Sequence, residues 1–164
     1  MHAPVAHPIR GAERTEMVAG VAGEDGLVQF RRADFDALKI EWADFFTRAA
    51  ANAAEDLKTI EPRYVRNKEK VIEYAALKSD RPIVSSAVLA PRFLALFRET
   101  LGERVLLVAP SRYTAFVFPA LASNYRDYWP MVFEAFRATA FPVSLEVFEV
   151  SEAGLRAVGI YVEP

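Results

Sequence analysis

The chain has 164 residues, of which 52% are hydrophobic and 26% charged, and its net charge at pH 7 is −2. This balance is too apolar for a disordered chain and too charged for a membrane bundle, and the near-neutral charge gives no general attraction for nucleic acid. The lack of cysteine excludes disulfides, thiolate nucleophiles and cysteine-ligated metal centres.

The N-terminal segment contains Pro4, Pro8 and only short apolar stretches. Such a composition predicts a flexible tail over residues 1–14 and a single domain over residues 15–164. The segment lacks the apolar core of a secretion signal, and no apolar run reaches the roughly 18 residues of a membrane helix. We therefore expect a cytoplasmic protein that does not associate with membranes.

The first predicted elements follow this tail. Short apolar stretches at 17–21 and 27–31 flank a Gly-Glu-Asp-Gly turn and predict a β-hairpin. Apolar residues then recur at three- and four-residue steps over residues 34–57, which predicts one long amphipathic helix with Asp34 as its N-cap. β-Branched and aromatic residues on both sides of Asn67-Lys68 favour two strands, with a short helix as the alternative for the second.

The middle of the chain predicts a helix and two central strands. The helix covers residues 85–101, with a kink at Pro91 and a stop at Gly102. Continuous apolar runs at 105–109 and 113–118 predict neighbouring strands that are buried on both faces. The short connection between these runs indicates that the two strands are antiparallel.

The last part predicts a third helix over residues 124–140, which begins or kinks at Pro130. An alternating strand at 143–148 and a final strand at 155–162 follow. Helices thus alternate with pairs of strands. We expect an α+β domain whose mostly antiparallel sheet of about five to seven strands packs against three helices.

Four short motifs stand out by their order along the chain. They are Ala51-Asn52-Ala53-Ala54-Glu55-Asp56-Leu57, Ser86-Ala87-Val88-Leu89, Val108-Ala109-Pro110-Ser111-Arg112 and Phe141-Pro142-Val143-Ser144-Leu145-Glu146-Val147-Phe148. In this order the chain resembles the YtpQ-like proteins, a bacterial family of unknown function, from about residue 40 onward. The family commonly has Asp after the Arg of its Pro-x-Arg corner, whereas Tyr113 stands here, so a site built on an Arg-Asp pair would be incomplete. The resemblance implies a fold and no activity.

Residues typical of catalytic and metal sites are scarce. The only histidines, His2 and His7, lie in the predicted tail, so we expect neither a metal site nor a serine–histidine–acid triad. The seven glycines do not form a phosphate-binding loop. Glu146 and Glu149 point to opposite faces of a strand, and we interpret both as solvated surface charges. The sequence therefore predicts no catalytic residue, metal or cofactor.

Arg112 is the first candidate site residue, because it lies at the corner between the two predicted central strands. A guanidinium there is able to bind a carboxylate or phosphate in bidentate fashion, to brace nearby carbonyls, or to contact a partner. Together with its neighbours Ser111 and Tyr113, it forms a candidate ligand-binding site.

The aromatic segment 124–129 is the second candidate site. Tyr125, Arg126, Tyr128 and Trp129 are of the residue types enriched at binding hot spots, although the aromatic rings are equally suited to fold back onto the core. From these features we expect a non-catalytic module for protein interaction or self-association. The alternative is a small-molecule or anion-binding protein with Arg112 at its site. An enzyme that acts on such a ligand belongs to this alternative.

Overall fold

The structure, a computed structural model, describes residues 4–23 and 26–164. Within these residues the strands are β1 (Ala6–Pro8), β2 (Glu16–Val18), β3 (Gly20–Gly23), β4 (Gly26–Gln29), β5 (Arg63–Arg66), β6 (Ile72–Lys78), β7 (Val105–Val108), β8 (Thr114–Pro119), β9 (Glu146–Ser151) and β10 (Gly154–Ile160). The α-helices there are α1 (Arg32–Ala37), α2 (Trp42–Lys58), α3 (Val84–Ala87), α4 (Arg98–Leu101) and α5 (Trp129–Arg137). Short 3₁₀ turns cover Leu94–Leu96 and Tyr125–Tyr128.

Six strands form the main sheet, in the order β10-β9-β7-β8-β6-β5. Every neighbouring pair in this sheet is antiparallel. β7 and β8 are the two central strands, as the sequence predicts from their continuous apolar runs. The α+β class and the antiparallel sheet are therefore confirmed, although the described residues form five α-helices where three were expected.

Side chains of the central strands alternate between two hydrophobic clusters. In β7, Val105 and Leu107 belong to the first cluster, whereas Leu106 and Val108 belong to the second. Helices α2, α3 and α4 pack on the first face of the sheet and α5 packs on the second. Both faces of the central strands are thus buried, in agreement with the prediction.

The predicted helix over residues 34–57 is interrupted between α1 and α2. Lys39 has a φ of 51°, and Asp34 lies in the first turn of α1 rather than at its N-cap. In one straight helix, Phe35 and Trp42 would be separated by a rise of about 10 Å. The break brings their ring centroids within 6.3 Å, so both rings pack in one small aromatic cluster.

The predicted helix over residues 85–101 is also divided, into α3, a 3₁₀ turn and α4. Pro91 lies between α3 and the 3₁₀ turn, where it interrupts the backbone hydrogen bonding of a helix. Gly102 ends α4 with a φ of 104°, as predicted. Pro130 likewise lies in the first turn of α5, and β9 begins at Glu146, later than predicted.

The N-terminal segment differs from the predicted tail. Residues 6–8 form β1, which pairs with β2, and Val5 is buried in a third cluster with Ala19 and Phe35. The Ala19 N–H donates to the Val5 carbonyl. The side chain of Val5 therefore packs on the following segment, and its backbone carbonyl accepts an N–H group of that segment. The predicted hairpin is present in part, as the pair β3–β4, whereas Met17 and Val18 of its first predicted strand belong to β2. Its Glu24-Asp25 turn lies outside the described residues.

Candidate ligand-binding site

A cavity of about 450 Å³ lies between the first face of the main sheet, α2 and the N-terminal segment. Its volume is within the range of small-molecule sites, which is about 300–1,000 Å³. The cavity arises because α2 and the N-terminal strands β1 to β4 lie over the sheet without filling the space between the first and third hydrophobic clusters.

Helix α2 forms one wall of the cavity along nearly its whole length. The lining residues recur at three- and four-residue steps, from Trp42 at one end to Asp56 at the other. The fourteen steps from Trp42 to Asp56, at 1.5 Å each, make this wall about 21 Å long. Those between the ends are mainly apolar and are Phe45, Phe46, Ala49, Ala50, Asn52 and Ala53.

The floor of the cavity consists of side chains from the sheet. It begins at Ala109, just after β7, continues through Leu107 and Phe148, which are paired across the strands, and reaches Leu155 of β10. Leu155 pairs with Val150, which in turn pairs with the first residue of β7. The floor therefore runs along the strand direction, away from the corner that carries Arg112.

Arg112 lines the cavity at the corner between β7 and β8. Its backbone N–H donates to the Phe141 carbonyl at 3.3 Å, and its carbonyl accepts from the Val84 N–H at 2.9 Å. The guanidinium carbon lies 5.1 Å from the centre of the Phe141 ring. Among the described residues, no acidic side chain forms an ion pair with Arg112. The backbone of Arg112 is thus fixed, and its half-buried guanidinium lies over the Phe141 ring without an acidic partner among the described residues.

The two neighbours of Arg112 do not line the cavity. Ser111 is buried, and its hydroxyl accepts the Tyr113 N–H at 3.1 Å. The Tyr113 ring lies 6.4 Å from the Phe141 ring. The structure therefore brings Arg112 to the cavity, and places Ser111 and Tyr113 where they stabilise the corner.

Two hydroxyl groups that sequence reasoning missed lie beside this site. Thr15 and Ser144 both line the cavity, and their oxygens are 2.6 Å apart. The Ser144 hydroxyl also accepts the Glu146 N–H at 3.0 Å. These residues are 129 positions apart in the chain, so only the folding of the N-terminal segment onto β9 brings them together.

Glu146 holds this segment in place. Its side chain is buried, and its carboxylate accepts the N–H groups of Glu13 at 2.8 Å and Arg14 at 3.3 Å. Burial alone would raise the pKa of Glu146, but hydrogen bonds from the Thr15 hydroxyl and these N–H groups, and the nearby Arg14 charge, lower that pKa below its usual value. The interpretation of Glu146 as a solvated surface charge is therefore wrong, because the residue is buried and its carboxylate accepts the N–H groups of Glu13 and Arg14.

The charged groups of the cavity differ in their surroundings. Arg112 is its only basic lining residue within the described part of the chain, and Glu16 and Asp56 are its acidic ones. Glu16 is exposed to solvent. An Asp56 oxygen lies 3.9 Å from the Arg81 guanidinium, which partly offsets its charge. Arg112 is thus the positive charge of the described lining, and one of the two lining carboxylates, Asp56, has a basic neighbour outside the cavity lining.

The aromatic segment 124–129 packs mostly on the core. Tyr125, Tyr128 and Trp129 contact the second hydrophobic cluster, and only Arg126 is fully exposed among the four candidate interaction residues. The buried Tyr161 hydroxyl donates to the Tyr125 carbonyl at 2.6 Å. Burial, with a hydrogen bond to Glu73, raises the pKa of Tyr128 to about 12. Beside these rings, a shallow depression is lined by Trp129, Pro130, Phe133, Glu134, Arg137, Ala138 and Glu163.

The histidines contribute no metal site in the described residues. His7 lies in β1, where its ring stacks on Trp42 with 4.8 Å between centroids, and His2 is outside the described residues. Over residues 4–23 and 26–164, no group of three His, Cys, Asp or Glu side chains is placed to hold a metal ion. Within the same ranges, each helix is too short or too polar to span a bilayer.

No protein-family model, curated protein or solved structure matches this chain. The resemblance to the YtpQ-like proteins therefore stays a prediction from the sequence, and the geometry of the site carries the functional argument.

Proposed function

We propose that the protein binds a small organic anion with an apolar body in the cavity beside α2, and that Arg112 holds its anionic group. The observation that carries this proposal is a half-buried guanidinium that lines a mainly apolar cavity and has no acidic partner among the described residues. A charge in such a position gains from a carboxylate or phosphate ligand, because the low-polarity surroundings strengthen the charge-assisted hydrogen bonds.

The lining favours binding over catalysis. Its hydroxyl groups come from Thr15, Ser85, Ser86 and Ser144, and the described lining residues include no histidine or lysine that would activate them. The Thr15 and Ser144 hydroxyls bond to each other, so they serve the structure of the wall. We therefore assign the cavity to recognition of a ligand.

The test is a titration with anilinonaphthalene sulfonate, a fluorescent anion with an apolar body. Arg112→Met should weaken its binding roughly 10- to 100-fold, because a hydrogen bond to a charged group contributes about 1.5–3 kcal/mol. Arg112→Lys should retain part of the affinity, since it keeps the charge but not the planar fork.

Arg92→Met is the matched control, because Arg92 is exposed and does not line the cavity. It should bind the dye as the wild type does. Equal affinities of the wild type and Arg112→Met, with unchanged thermal unfolding, would refute the proposal.

Association with a protein through the aromatic segment is a second proposal, supported by the exposed Arg126 and by the shallow depression that Trp129 lines. Arg126→Glu reverses the charge of an exposed side chain, which also loses its 3.3 Å hydrogen bond to the Tyr125 hydroxyl. It should abolish any self-association measured by sedimentation, whereas Arg92→Glu should not. Sedimentation as a monomer by the wild type at high concentration would refute self-association.

A further inference from the structure

We infer that the ligand is a single unbranched chain that ends in a carboxylate. Its charged end lies at Arg112, and its chain follows α2 toward Trp42. This inference rests on the proposed function and narrows it to one class of ligand, the long-chain alkyl carboxylates.

The shape of the cavity is the first argument. The α2 wall is about 21 Å long, whereas the cavity volume is about 450 Å³. A cavity with so long a wall suits an extended chain, which contacts the lining along its whole length.

The distribution of polar groups along the cavity is the second argument. Trp42, Phe45 and Phe46 line the end at the start of α2, and Asn52 and Asp56 line the other end. Apolar side chains of the N-terminal segment, Met17 and Leu27, face the same space. The α2 wall is therefore apolar toward Trp42 and polar toward Asp56, while Glu16 and Gln29 of the N-terminal strands also line the cavity. This gradient along α2 suits an amphiphile with a single polar group.

Backbone contacts place Arg112 at the polar end. Its carbonyl accepts the Val84 N–H. Val84 follows Arg81 by three residues in the chain, so this contact brings the backbone of Arg112 close to the segment that contains Arg81. The Arg81 guanidinium in turn donates to the Thr59 hydroxyl at 3.1 Å, just after α2, and lies near Asp56. At the opposite end, Trp42 stacks on His7 of β1.

The charges favour a carboxylate over a dianionic phosphate. Arg112 supplies one positive charge, and Glu16 and Asp56 also line the cavity. A single negative charge is neutralised by Arg112, whereas a second one would meet these carboxylates without a partner.

The first test is a series of straight-chain carboxylates from hexanoate to hexadecanoate, measured by displacement of the dye. Each added methylene that becomes buried should tighten binding about fourfold, until the cavity is filled. If carboxylates bind through Arg112 with an affinity independent of chain length, this inference fails and the proposed function stands. If neither the carboxylates nor the dye bind, the proposed function fails as well.

A matched pair of α2 variants tests whether the alkyl chain of the ligand follows α2. Ala49 lines the middle of the wall, whereas Ala51 is exposed. Ala49→Phe should weaken hexadecanoate binding at least tenfold and leave hexanoate binding unchanged, while Ala51→Phe should affect neither. Unchanged hexadecanoate binding in Ala49→Phe would overturn the proposed course.

The orientation is tested by fluorescence quenching. The chain has two tryptophans, so Trp129→Phe leaves Trp42 as the single reporter in the cavity. Dodecanoate brominated at its far end should quench Trp42, because bromine quenches on contact, and dodecanoate brominated next to the carboxylate should not. Stronger quenching by the second compound would show the reverse orientation and overturn this assignment.

Discussion

Replacing Glu146 by Gln tests how the N-terminal segment is held on the sheet. The Glu146 side chain is 4% exposed and accepts two backbone N–H groups, from Glu13 and Arg14. A glutamine of nearly the same size loses the charge and turns an NH₂ donor toward one of these donors. We expect a loss of about 1–3 kcal/mol in the free energy of unfolding at pH 7, typical of a buried hydrogen-bonding group left without its partner.

The pH dependence of this loss follows from the lowered pKa of Glu146. A carboxyl group whose pKa is lower in the folded state stabilises the protein above its unfolded-state pKa of about 4.3, and the contribution disappears as the pH falls through the folded-state pKa. The difference between wild type and Glu146→Gln should therefore be full at pH 7 and shrink below about pH 4.

Urea unfolding at several pH values measures this difference, with the exposed Glu61→Gln as the control. Hydrogen exchange at the Glu13 and Arg14 amides should also become faster in Glu146→Gln, because both lose their acceptor. Equal stability of the two proteins at pH 7, or a difference that does not change with pH, would refute the role given to the Glu146 carboxylate.

Three further substitutions, one of them with a control, test the packing of the fold through the free energy of unfolding in urea. Gly102→Ala should cost about 1–3 kcal/mol, because φ 104° and ψ −175° fall in a region that only glycine readily adopts; a neutral effect would contradict this. Phe97→Ala should cost about 3–5 kcal/mol, since Phe97 is fully buried, whereas Leu121→Ala at an 88% exposed position should change stability by less than about 0.5 kcal/mol. Tyr161→Phe should cost about 1 kcal/mol through the lost hydrogen bond to Tyr125, and an unchanged midpoint would show that this bond contributes nothing.

The central sheet was predictable because its strands carry a local signal. The runs at 105–109 and 113–118 are continuously apolar, and a short corner between them leaves little choice except an antiparallel pair. The stop of α4 at Gly102 was predictable for a similar reason, since a glycine after an apolar helix pattern is the usual residue for a positive φ.

The helix boundaries were less predictable because tertiary packing decides them. The apolar periodicity continues through Lys39, yet the chain bends there so that Phe35 and Trp42 meet. Leu96 fits the predicted apolar face of its helix but is partly exposed, because the 3₁₀ turn after Pro91 changes the phase of the pattern.

The candidate site was predictable only at Arg112, which lies at a corner between two recognisable strands. The rest of its lining comes from α2, β9 and the N-terminal segment, and no local pattern joins Thr15 to Ser144. The apolar residues Val5 and Ile9 among the prolines are the one sequence signal against a flexible tail, since both are buried in the fold.

A crystal structure of the protein with dodecanoate would show directly whether Arg112 holds the anionic group of a ligand. We expect the carboxylate within hydrogen-bonding distance of the Arg112 guanidinium and the chain extended along α2 toward Trp42. Dodecanoate bound elsewhere on the molecule, with the Arg112 side chain turned to solvent, would show that Arg112 is not the binding residue.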